Sequence, residues 1–414
     1  MRIELVNTGT ELVLGDTINT NAAWLGQRLA GLGVTVARQT IVPDGIAVRE
    51  AMEEALKRAD VVLVTGGLGP TNDDLSRDTA ADLLALPMTQ DESIVAGLHA
   101  YFEKRGKALS PSNLRQAMVP QGAEVMDNPF GTAPGLYLSA ELGAVMGFHC
   151  HVFLLPGPPR ELKPMMETHV EPRLREWLSL SGSWTMRYLK ITGVGESDIV
   201  EKIEKDLEAI QALDFGYCIG KGDVDVRISG APEIVEHGCA LVRARLGFAI
   251  VSEDRKIIEE VVVSKLLELG QTVATAESCT GGFIAHRITN VSGASAVFGH
   301  GFVTYANEAK VAHVGVPEAL LAEYGAVSEP VVRAMAEGCL RVSGADHALA
   351  VTGIAGPTGG SEDKPVGTVF IALASKDGET VVQRRYSPGT RDRFKLLTSQ
   401  AALDLLRRRL VGAE

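Results

Sequence analysis

The first 65 residues alternate between two hydrophobic periods. Short β-branched runs at residues 2–6, 34–42 and 61–65 indicate strands, and the third is almost wholly apolar, as is typical of strands buried in a parallel sheet. Between the first two runs, apolar side chains recur at helical spacing, among them Leu25 and Leu29. The resulting β-α-β-α-β order predicts a doubly wound α/β sheet.

Two further blocks follow, with different patterns. Residues 196–213 carry apolar positions on one helical side and residues 223–229 alternate strictly, which indicates a small α+β module. Apolar runs at 271–274, 301–305 and 348–352 then return to the strand pattern of an α/β domain. We therefore predict three domains, spanning 1–172, 173–250 and 251–414.

Composition changes this picture little but excludes some functions. The 414 residues are 45% hydrophobic and 22% charged, with a formal net charge of −12, so a protein that coats nucleic acid or anionic membrane is not expected. No apolar run in the sequence is long enough to span a bilayer. Five scattered cysteines without a Cys-x-x-Cys pair favour reduced thiols and a cytoplasmic location.

A glycine- and aspartate-rich loop follows the third strand. It carries Gly66, Gly67, Gly69, Asp73, Asp74 and Asp78. In an open α/β sheet, ligands bind beyond the carboxyl ends of the strands, and glycines there allow a backbone cradle for phosphate. The aspartates are suited to a hard divalent cation that bridges phosphate oxygens. The alternative is an ordinary connection in which an aspartate caps the helix that begins near Leu75.

A second candidate site lies in the turn after residues 271–274. Ser278 stands between a strand and a helix, where backbone N–H groups without helical partners favour an oxyanion or phosphate. We expect the N–H groups of Gly281 and Gly282 to stabilise an oxyanion there. The alternative is that Ser278 or Thr280 only caps the helix. Cys279 is a rival nucleophile, although a cysteine in such a turn more often serves packing.

Three strand ends predict how the serine would be activated. The carboxyl ends of parallel strands meet at one edge of a sheet, which would bring Ser278, Tyr305, Lys310 and Thr352 into one cleft. A lysine can act as base for a serine if burial or neighbouring cations lower its pKa. Thr352 or Tyr305 would then relay a proton or orient the lysine.

Several motifs in this third domain resemble the nicotinamide-nucleotide amidohydrolase domain of the CinA (competence/damage-inducible) family. They are residues 276–282, the Tyr305-x-Asn307-x-x-Lys310 segment, residues 325–328, and residues 352–357 with 367–369. The resemblance implies that Ser278 is the nucleophile, Lys310 the general base, and Tyr305 and Thr352 their supporting hydroxyls. The implied reaction hydrolyses the carboxamide of nicotinamide mononucleotide to the acid, releases ammonia and needs no cofactor.

The same resemblance directs attention to substrate contacts. Candidate binding residues in this domain are Gly281, Gly282, Asn307, Gly353 and Arg391. Arg391 and Arg393 begin the last helix, and either would supply a cation for the substrate phosphate. The alternative is that these two arginines are a solvated pair.

The first domain, over most of residues 1–170, resembles the molybdopterin-binding fold. Asp74 matches the aspartate of its glycine loop and Asp44 the aspartate after the second strand, both facing a pyrophosphate-containing ligand. Within the CinA family this domain would be an ADP-ribose pyrophosphatase that needs Mg, Mn or Co. Asp44, Asp73 and Asp74 are then the expected metal ligands, and Gly66, Gly67 and Gly69 the expected substrate cradle.

The middle segment resembles a KH-like module, and we expect a spacer or dimerisation platform in a homodimer. The Gly-x-x-Gly clamp of RNA-binding modules is not clearly present, and the long helix is acidic, so nucleic acid is an unlikely partner. Residues 193–197 and the Gly220-Lys221-Gly222 turn both have the composition of phosphate or RNA loops. Together the two implied activities describe an enzyme of pyridine-nucleotide salvage. Two alternatives remain open: a molybdopterin-handling enzyme, and a competence-linked protein that binds nucleic acid or a partner.

Overall fold

The computed structural model describes residues 1–178, 184–220 and 222–412, so Lys221 of the middle turn lies outside the described residues. The backbone packs into two compact units, Met1–Met186 and Arg187–Glu414. The predicted middle and third domains fall in the same unit. The boundaries 1–172, 173–250 and 251–414 stay a prediction.

The first unit interleaves strands and helices. Its strands over the described residues are β1 (Ile3–Thr8), β2 (Val36–Val42), β3 (Val61–Thr65), β4 (Met88–Gln90), β5 (Met118–Pro120), β6 (Glu124–Met126), β7 (Gly135–Leu138) and β8 (His151–Leu155). Its helices there are α1 (Thr10–Leu14), α2 (Thr20–Gly31), α3 (Ile46–Leu56), α4 (Ser76–Leu83), α5 (Glu92–Glu103), α6 (Pro159–Met165) and α7 (Glu171–Trp177). A π-helical segment, Met166–Val170, joins the last two helices.

The main sheet of this unit is mostly parallel, with the order β2-β1-β3-β8-β7-β6. Strands β2, β1, β3 and β8 run parallel, whereas β7 pairs antiparallel with β8 and β6 pairs antiparallel with β7. Successive side chains of a strand point to opposite faces, so Leu5 joins one apolar core with α2 and α6, and Val6 joins the other with α3 and α4. The doubly wound molybdopterin-binding-like fold expected from the hydrophobic pattern is confirmed.

The second unit begins with a small α+β module. Its strands and helices over the described residues are β9 (Thr185–Thr192), α8 (Glu196–Glu208), β10 (Asp214–Ile219), β11 (Asp223–Gly230), α9 (Pro232–Leu246) and β12 (Ile250–Ser252). The sheet order is β10-β11-β9-β12, so the KH-like module has the split βαβ arrangement. Helix α8 is shorter than the 196–213 pattern predicts, because the chain turns at Ala212 with a φ of 62°.

An α/β domain completes the second unit. It contains α10 (Ile258–Leu269), β13 (Val273–Glu277), α11 (Phe283–Thr289), β14 (Phe298–Val303), α12 (Asn307–Val314), α13 (Glu318–Tyr324), α14 (Glu329–Ser343), β15 (His347–Gly353), β16 (Thr368–Ser375), β17 (Gly378–Tyr386) and α15 (Arg391–Leu410). The sheet order is β14-β13-β15-β16-β17, and the first three strands are parallel. Among the described residues, no helix is long and apolar enough to cross a membrane.

The core of this domain explains an alternation of small and large residues in its central strands. The alanines of β13, β15 and β16 pack with residues of α14, as Ala350 does, whereas the larger side chains between them, such as Leu349, pack with α10 and α15. A face of alanines lets a helix lie close to the sheet. In the pairing, Glu277 lies opposite Val303 on one side and Val351 on the other. The carboxyl ends of three parallel strands are therefore level.

Candidate functional site

Ser278 occupies the first position after β13, at this level edge. Its N–H donates to Val351 O (3.0 Å), and the Glu277 carbonyl accepts from Thr304 N (2.8 Å), so both neighbouring strands hold the turn. The serine is 9% exposed. The backbone at the serine is thus fixed in position by both neighbouring strands.

The Lys310 amine lies beside this hydroxyl. Its Nζ is 3.2 Å from Ser278 Oγ, 2.9 Å from Thr304 O and 3.2 Å from Tyr305 O. Strand β14 ends at Val303, earlier than the 301–305 pattern predicts, and so these two carbonyls lie beyond the strand. A neutral amine has two N–H donors and one lone pair. When both donors bind the carbonyls, the lone pair faces the serine.

Burial favours the neutral form of the Lys310 amine. Lys310 is 1% exposed, and this burial lowers the pKa of its amine against the weaker opposing effects of Cys279 and Glu308. No ion pair joins Lys310 to a carboxylate in the part of the chain that the structure describes. The lysine predicted from the strand ends therefore meets the two requirements of a general base, contact with the hydroxyl and a lowered pKa.

Glu277 is a residue of this site that the sequence analysis missed. Its buried carboxylate accepts hydrogen bonds from Thr280 Oγ1 (2.6 Å), Ile284 N (3.0 Å) and Ala285 N (2.8 Å). The carboxylate thus closes the turn and caps α11, whose N-cap position is held by Gly282. The alternative that Ser278 or Thr280 caps this helix is wrong. The sequence signal that would have identified Glu277 is an acidic residue directly before a strand-to-helix turn.

The expected oxyanion donors need one correction. The N–H of Gly281 donates to Ser278 O (3.2 Å) within the turn, and Glu277 takes the N–H groups of the first turn of α11. Gly281 is therefore not available as an oxyanion donor in this arrangement. Its φ of 62° and the φ of 89° at Gly282 show that both glycines are needed for the left-handed turn itself.

The hydroxyls of Tyr305 and Thr352, which were expected to support Lys310, bind other partners. Tyr305 is exposed, and its hydroxyl accepts from Arg391 Nη2 (2.7 Å), so the tyrosine holds Lys310 through its backbone carbonyl and not through its hydroxyl. Thr352 is buried, and its hydroxyl donates to Ala326 O (2.8 Å). Arg391 also donates to Gly356 O (3.0 Å) and so joins the loops after β14 and β15.

The remaining predicted residues of this domain divide into exposed and packed positions. Asn307 is exposed at the start of α12. Gly353 lies at the end of β15, where a Cβ would be 2.8 Å from Thr368 O, so close strand packing already requires a glycine. Cys279 is 5% exposed, and burial raises the pKa of its thiol to about 12. A thiol with such a pKa is a poor nucleophile near neutral pH.

In the first unit, Asp44 is bound to a threonine of the loop after β1, and Asp74 to a threonine of its own loop. Asp44 Oδ2 accepts from Thr10 N (2.9 Å) and Thr10 Oγ1 (3.1 Å). Asp74 Oδ2 accepts from Thr71 N (2.9 Å) and from the Thr71 hydroxyl, while Asp73 is exposed. Helix α4 has no side-chain cap, so the alternative of an aspartate cap is not what the structure shows.

The glycines of the same loop are required by backbone shape and close packing. Gly66 and Gly67 have φ values of 94° and 68°. A Cβ at Gly66 would lie 2.6 Å from Thr8 O, and a Cβ at Gly69 would lie 2.4 Å from Asp74 Oδ2. The loop is thus held tightly against the end of β1 and against its own aspartate.

Buried polar atoms without partners surround this loop. They include the hydroxyls of Thr8 and Ser76 and the Nε of Arg77. Arg77 is 2% exposed, and burial lowers the pKa of its guanidinium. Across residues 1–178, 184–220 and 222–412 it forms no hydrogen bond or ion pair. Burial of a cation without a direct partner is costly, and the carboxylates of Asp78 and Asp74 only partly oppose its effect on the pKa. The sequence analysis missed Arg77 because one arginine on a helix carries no motif.

The first unit offers carboxylate oxygens, the donor type that divalent cations prefer. Among the residues that the structure describes, no three His, Cys, Asp or Glu side chains lie close enough together to hold a metal by themselves. Asp44, Asp73 and Asp74 supply the carboxylate oxygens that hard cations prefer. A cation held there would take its other ligands from phosphate oxygens and water, as Mg²⁺ commonly does.

Comparisons with known proteins place each unit in a family. The CinA C-terminal domain matches residues 255–410, and a probable molybdopterin binding domain matches residues 4–176. A CinA-like protein of Akkermansia muciniphila is 49% identical over 403 residues, covering 97% of this chain and 96% of the relative. A CinA-like protein of Geobacter sulfurreducens is 42% identical over 421 residues and covers both chains completely, at 100% each.

One solved structure is similar to a part of the chain. The competence/damage inducible protein CihA from Agrobacterium tumefaciens is 44% identical, with a TM-score of 0.36, and the match covers 36% of this chain and 91% of that protein.

Proposed function

This chain belongs to the CinA family, and on that premise we propose that it is a nucleotide hydrolase with two sites. The second unit would hydrolyse the carboxamide of nicotinamide mononucleotide to nicotinate mononucleotide and ammonia. The first unit would cleave the diphosphate of ADP-ribose with a divalent cation. Together the two reactions would serve pyridine-nucleotide salvage.

The amide reaction begins with proton transfer from Ser278 to the neutral Lys310 amine. The serine oxygen attacks the carboxamide carbon, and the carbonyl oxygen takes up the negative charge. When the C–N bond breaks, the Lys310 ammonium returns its proton to the leaving nitrogen, which departs as ammonia. The product of this half-reaction is an ester on Ser278.

Water then hydrolyses the ester on Ser278, with Lys310 again acting as the base. The Lys310 amine takes a proton from water, hydroxide attacks the ester, and the serine oxygen recovers its proton as the carboxylic acid is released. Thr304 O and Tyr305 O hold the amine through both steps. Arg391, which already joins two loops of this edge, would contact the substrate phosphate.

The observation that carries this proposal is the contact between the Ser278 hydroxyl and a buried Lys310 amine whose pKa is lowered by burial. Its test is ammonia release from nicotinamide mononucleotide by the Ser278→Ala and Cys279→Ala variants, with folding checked by circular dichroism. We expect a loss of at least about 10³-fold in Ser278→Ala and near-normal rates in Cys279→Ala. Wild-type rates in Ser278→Ala would overturn the proposal.

The proposal for the first unit is supported by the unpaired Arg77 guanidinium and by the oxygen donors around the glycine loop. When bound, the cation would neutralise diphosphate oxygens and favour attack by water. Asp44, Asp73 or Asp74 would contribute carboxylate ligands to that cation, and phosphate oxygens and water would complete its coordination, because the three aspartates do not form one cluster among the described residues. Arg77 would contact a phosphate oxygen. Hydrolysis of ADP-ribose to AMP and ribose 5-phosphate, measured in wild type and Asp74→Asn, tests this activity.

We further propose that the protein acts in the cytoplasm as a homodimer, with nucleotides and not nucleic acid as its partners. The net charge of −12 supports the last point. Light scattering of the full chain after gel filtration would give a mass near twice 44.0 kDa. A monomer over the whole concentration range would contradict the dimer.

A further inference from the structure

A groove of about 810 Å³ opens in the first unit between helix α5 and the loop at residues 127–134. Its volume is in the range of small-molecule sites. Tyr101 and Lys104 line one wall, and Asn128 and Gly131 line the other. None of the residues assigned to the glycine loop lines this groove.

The α5 wall presents an aromatic ring and two cations. The guanidinium carbon of Arg105 lies 3.6 Å from the centroid of the Tyr101 ring, and Arg105 Nη1 donates to Tyr101 O (3.3 Å). Neither Lys104 nor Arg105 is paired with a carboxylate within the described part of the chain. In a protein of net charge −12, two adjacent unpaired cations beside an aromatic face favour a ligand that combines a flat ring with negative charge, as a nucleotide does.

The opposite wall connects the groove to the glycine loop. Asn128 Nδ2 donates to Ala133 O (2.7 Å) and to Glu161 Oε2 (2.9 Å), which fixes the shape of the 127–134 loop. Glu161 belongs to α6, which begins two residues after Gly157. A Cβ on Gly157 would lie only 3.7 Å from the Gly66 Cα. The segment from Gly157 to Glu161 therefore contacts both the loop that lines the groove and the glycine loop.

We propose that this groove binds the base of a nucleotide whose phosphates lie at the glycine loop. The base stacks against the Tyr101 and Arg105 pair, and Lys104 contributes charge attraction. Asp127, which also lines the groove, is suited to accept a hydrogen bond from an amino or hydroxyl group of the ligand. The inference rests on the diphosphate chemistry proposed for this unit, and it predicts selection for nucleoside over simple sugar phosphates.

Calorimetric titration of the full chain with AMP and with ribose 5-phosphate tests this. The variants are Tyr101→Leu and Lys104→Met, and the matched control is Lys107→Met, which removes a neighbouring exposed lysine outside the groove. Stacking on an aromatic side chain is worth about 1–3 kcal/mol, so we expect AMP to bind about tenfold more weakly to Tyr101→Leu. A smaller loss is expected in Lys104→Met and none in Lys107→Met.

Ribose 5-phosphate separates a base site from a phosphate site, because its affinity should not change in Tyr101→Leu. Equal losses for both ligands, unchanged AMP affinity in both groove variants, or no AMP binding by wild type would overturn the inference. Should Tyr101→Leu fail to fold, the exposed Lys104→Met variant decides alone. ADP-ribose hydrolysis is measured in parallel, so that Tyr101-dependent AMP binding without hydrolysis would overturn only the proposed activity.

Discussion

Both units place polar residues at the carboxyl edge of a parallel sheet, but the two edges satisfy those residues differently. In the second unit, the Ser278 hydroxyl, the Lys310 amine and the Glu277 carboxylate all have partners within the protein, and the buried hydroxyl without a partner beside them, that of Thr304, belongs to a residue whose carbonyl binds Lys310. In the first unit, the Ser76 hydroxyl and the Arg77 Nε are buried without partners.

The difference separates a site that is preorganised from one that is completed by its ligand. Reacting groups held by a closed hydrogen-bond network need no rearrangement before reaction. Buried polar atoms without partners gain stability only when a ligand supplies them. We therefore expect chemistry in the second unit to depend on side chains alone, and chemistry in the first unit to depend on a cation and on phosphate.

The largest effect is expected from Lys310→Met, which keeps the length of the side chain and removes the base. Loss of a general base costs about 10²–10⁴ in rate, so ammonia release should fall by about 10³-fold. Nicotinamide mononucleotide binding, measured by calorimetry, should change little. A variant that retains a tenth of wild-type activity would show that another group takes the serine proton.

The pH dependence of the same pair of proteins sharpens this result. Burial lowers the pKa of Lys310, so wild-type activity should rise with pH and level off below the ordinary range of lysine. Between the folded and the unfolded pKa, the folded state binds fewer protons, and the free energy of unfolding therefore rises with pH. Lys310→Met should lose that increase. If activity levelled off only near the ordinary pKa of lysine, this would contradict the idea that burial makes Lys310 a neutral base at lower pH.

Metal removal should divide the two units. After treatment with a chelator, ADP-ribose hydrolysis should fall by about 10²-fold or more, because the aspartates are themselves anionic and the charge of the diphosphate is neutralised by the cation. Ammonia release from nicotinamide mononucleotide should be unchanged in the same sample. Restoration by added Mg²⁺, Mn²⁺ or Co²⁺ is the control. A parallel loss of both activities would remove the distinction between the two edges.

Much of the fold followed from hydrophobic periods, because long amphipathic and β-branched runs leave few alternatives. The run at 61–65 predicts β3 with the bounds that the structure has. Ends of elements were less certain. The 301–305 run predicted strand up to Tyr305, but β14 ends at Val303, and this early end frees the two carbonyls that hold Lys310.

The sequence also predicted that Ser278 and Lys310 would meet, since parallel strands end at one edge. It did not predict their supporting contacts. The Tyr305 hydroxyl was expected near the lysine, whereas a backbone carbonyl takes that place. Backbone partners depend on where strands end and how strands are aligned, and neither follows from residue types. Glu277 and Arg77 were missed for a related reason, since a single buried charge has no periodic pattern.

A smaller effect is expected from Glu277→Gln, which tests whether a closed network positions the nucleophile. The amide keeps one acceptor but directs N–H donors at the N–H groups of Ile284 or Ala285, which disturbs the turn that carries Ser278. Because displacement of a reacting group by 1 Å can cost about 10²-fold, we expect kcat for ammonia release to fall between about tenfold and a hundredfold, with a smaller change in KM. The exposed Glu318→Gln is the matched control. Equal losses in kcat and affinity would indicate general unfolding of the domain.

The smallest effect is expected from Arg77→Met. The sign of its change in thermal unfolding temperature tests whether the first unit is incomplete without its ligand. Without ligand, removal of an unpaired buried cation should raise the thermal unfolding temperature of the first unit by about 2 °C or more. Arg115→Met is the matched control, since Arg115 donates to Thr71 O and Asn72 Oδ1 (2.9 Å each), and its loss should lower that temperature. Added ADP-ribose should stabilise wild type, and by mass action it should stabilise Arg77→Met less. An unliganded Arg77→Met protein that is less stable than wild type would mean that the arginine is part of the folded framework, and the first unit would then be as complete without its ligand as the second.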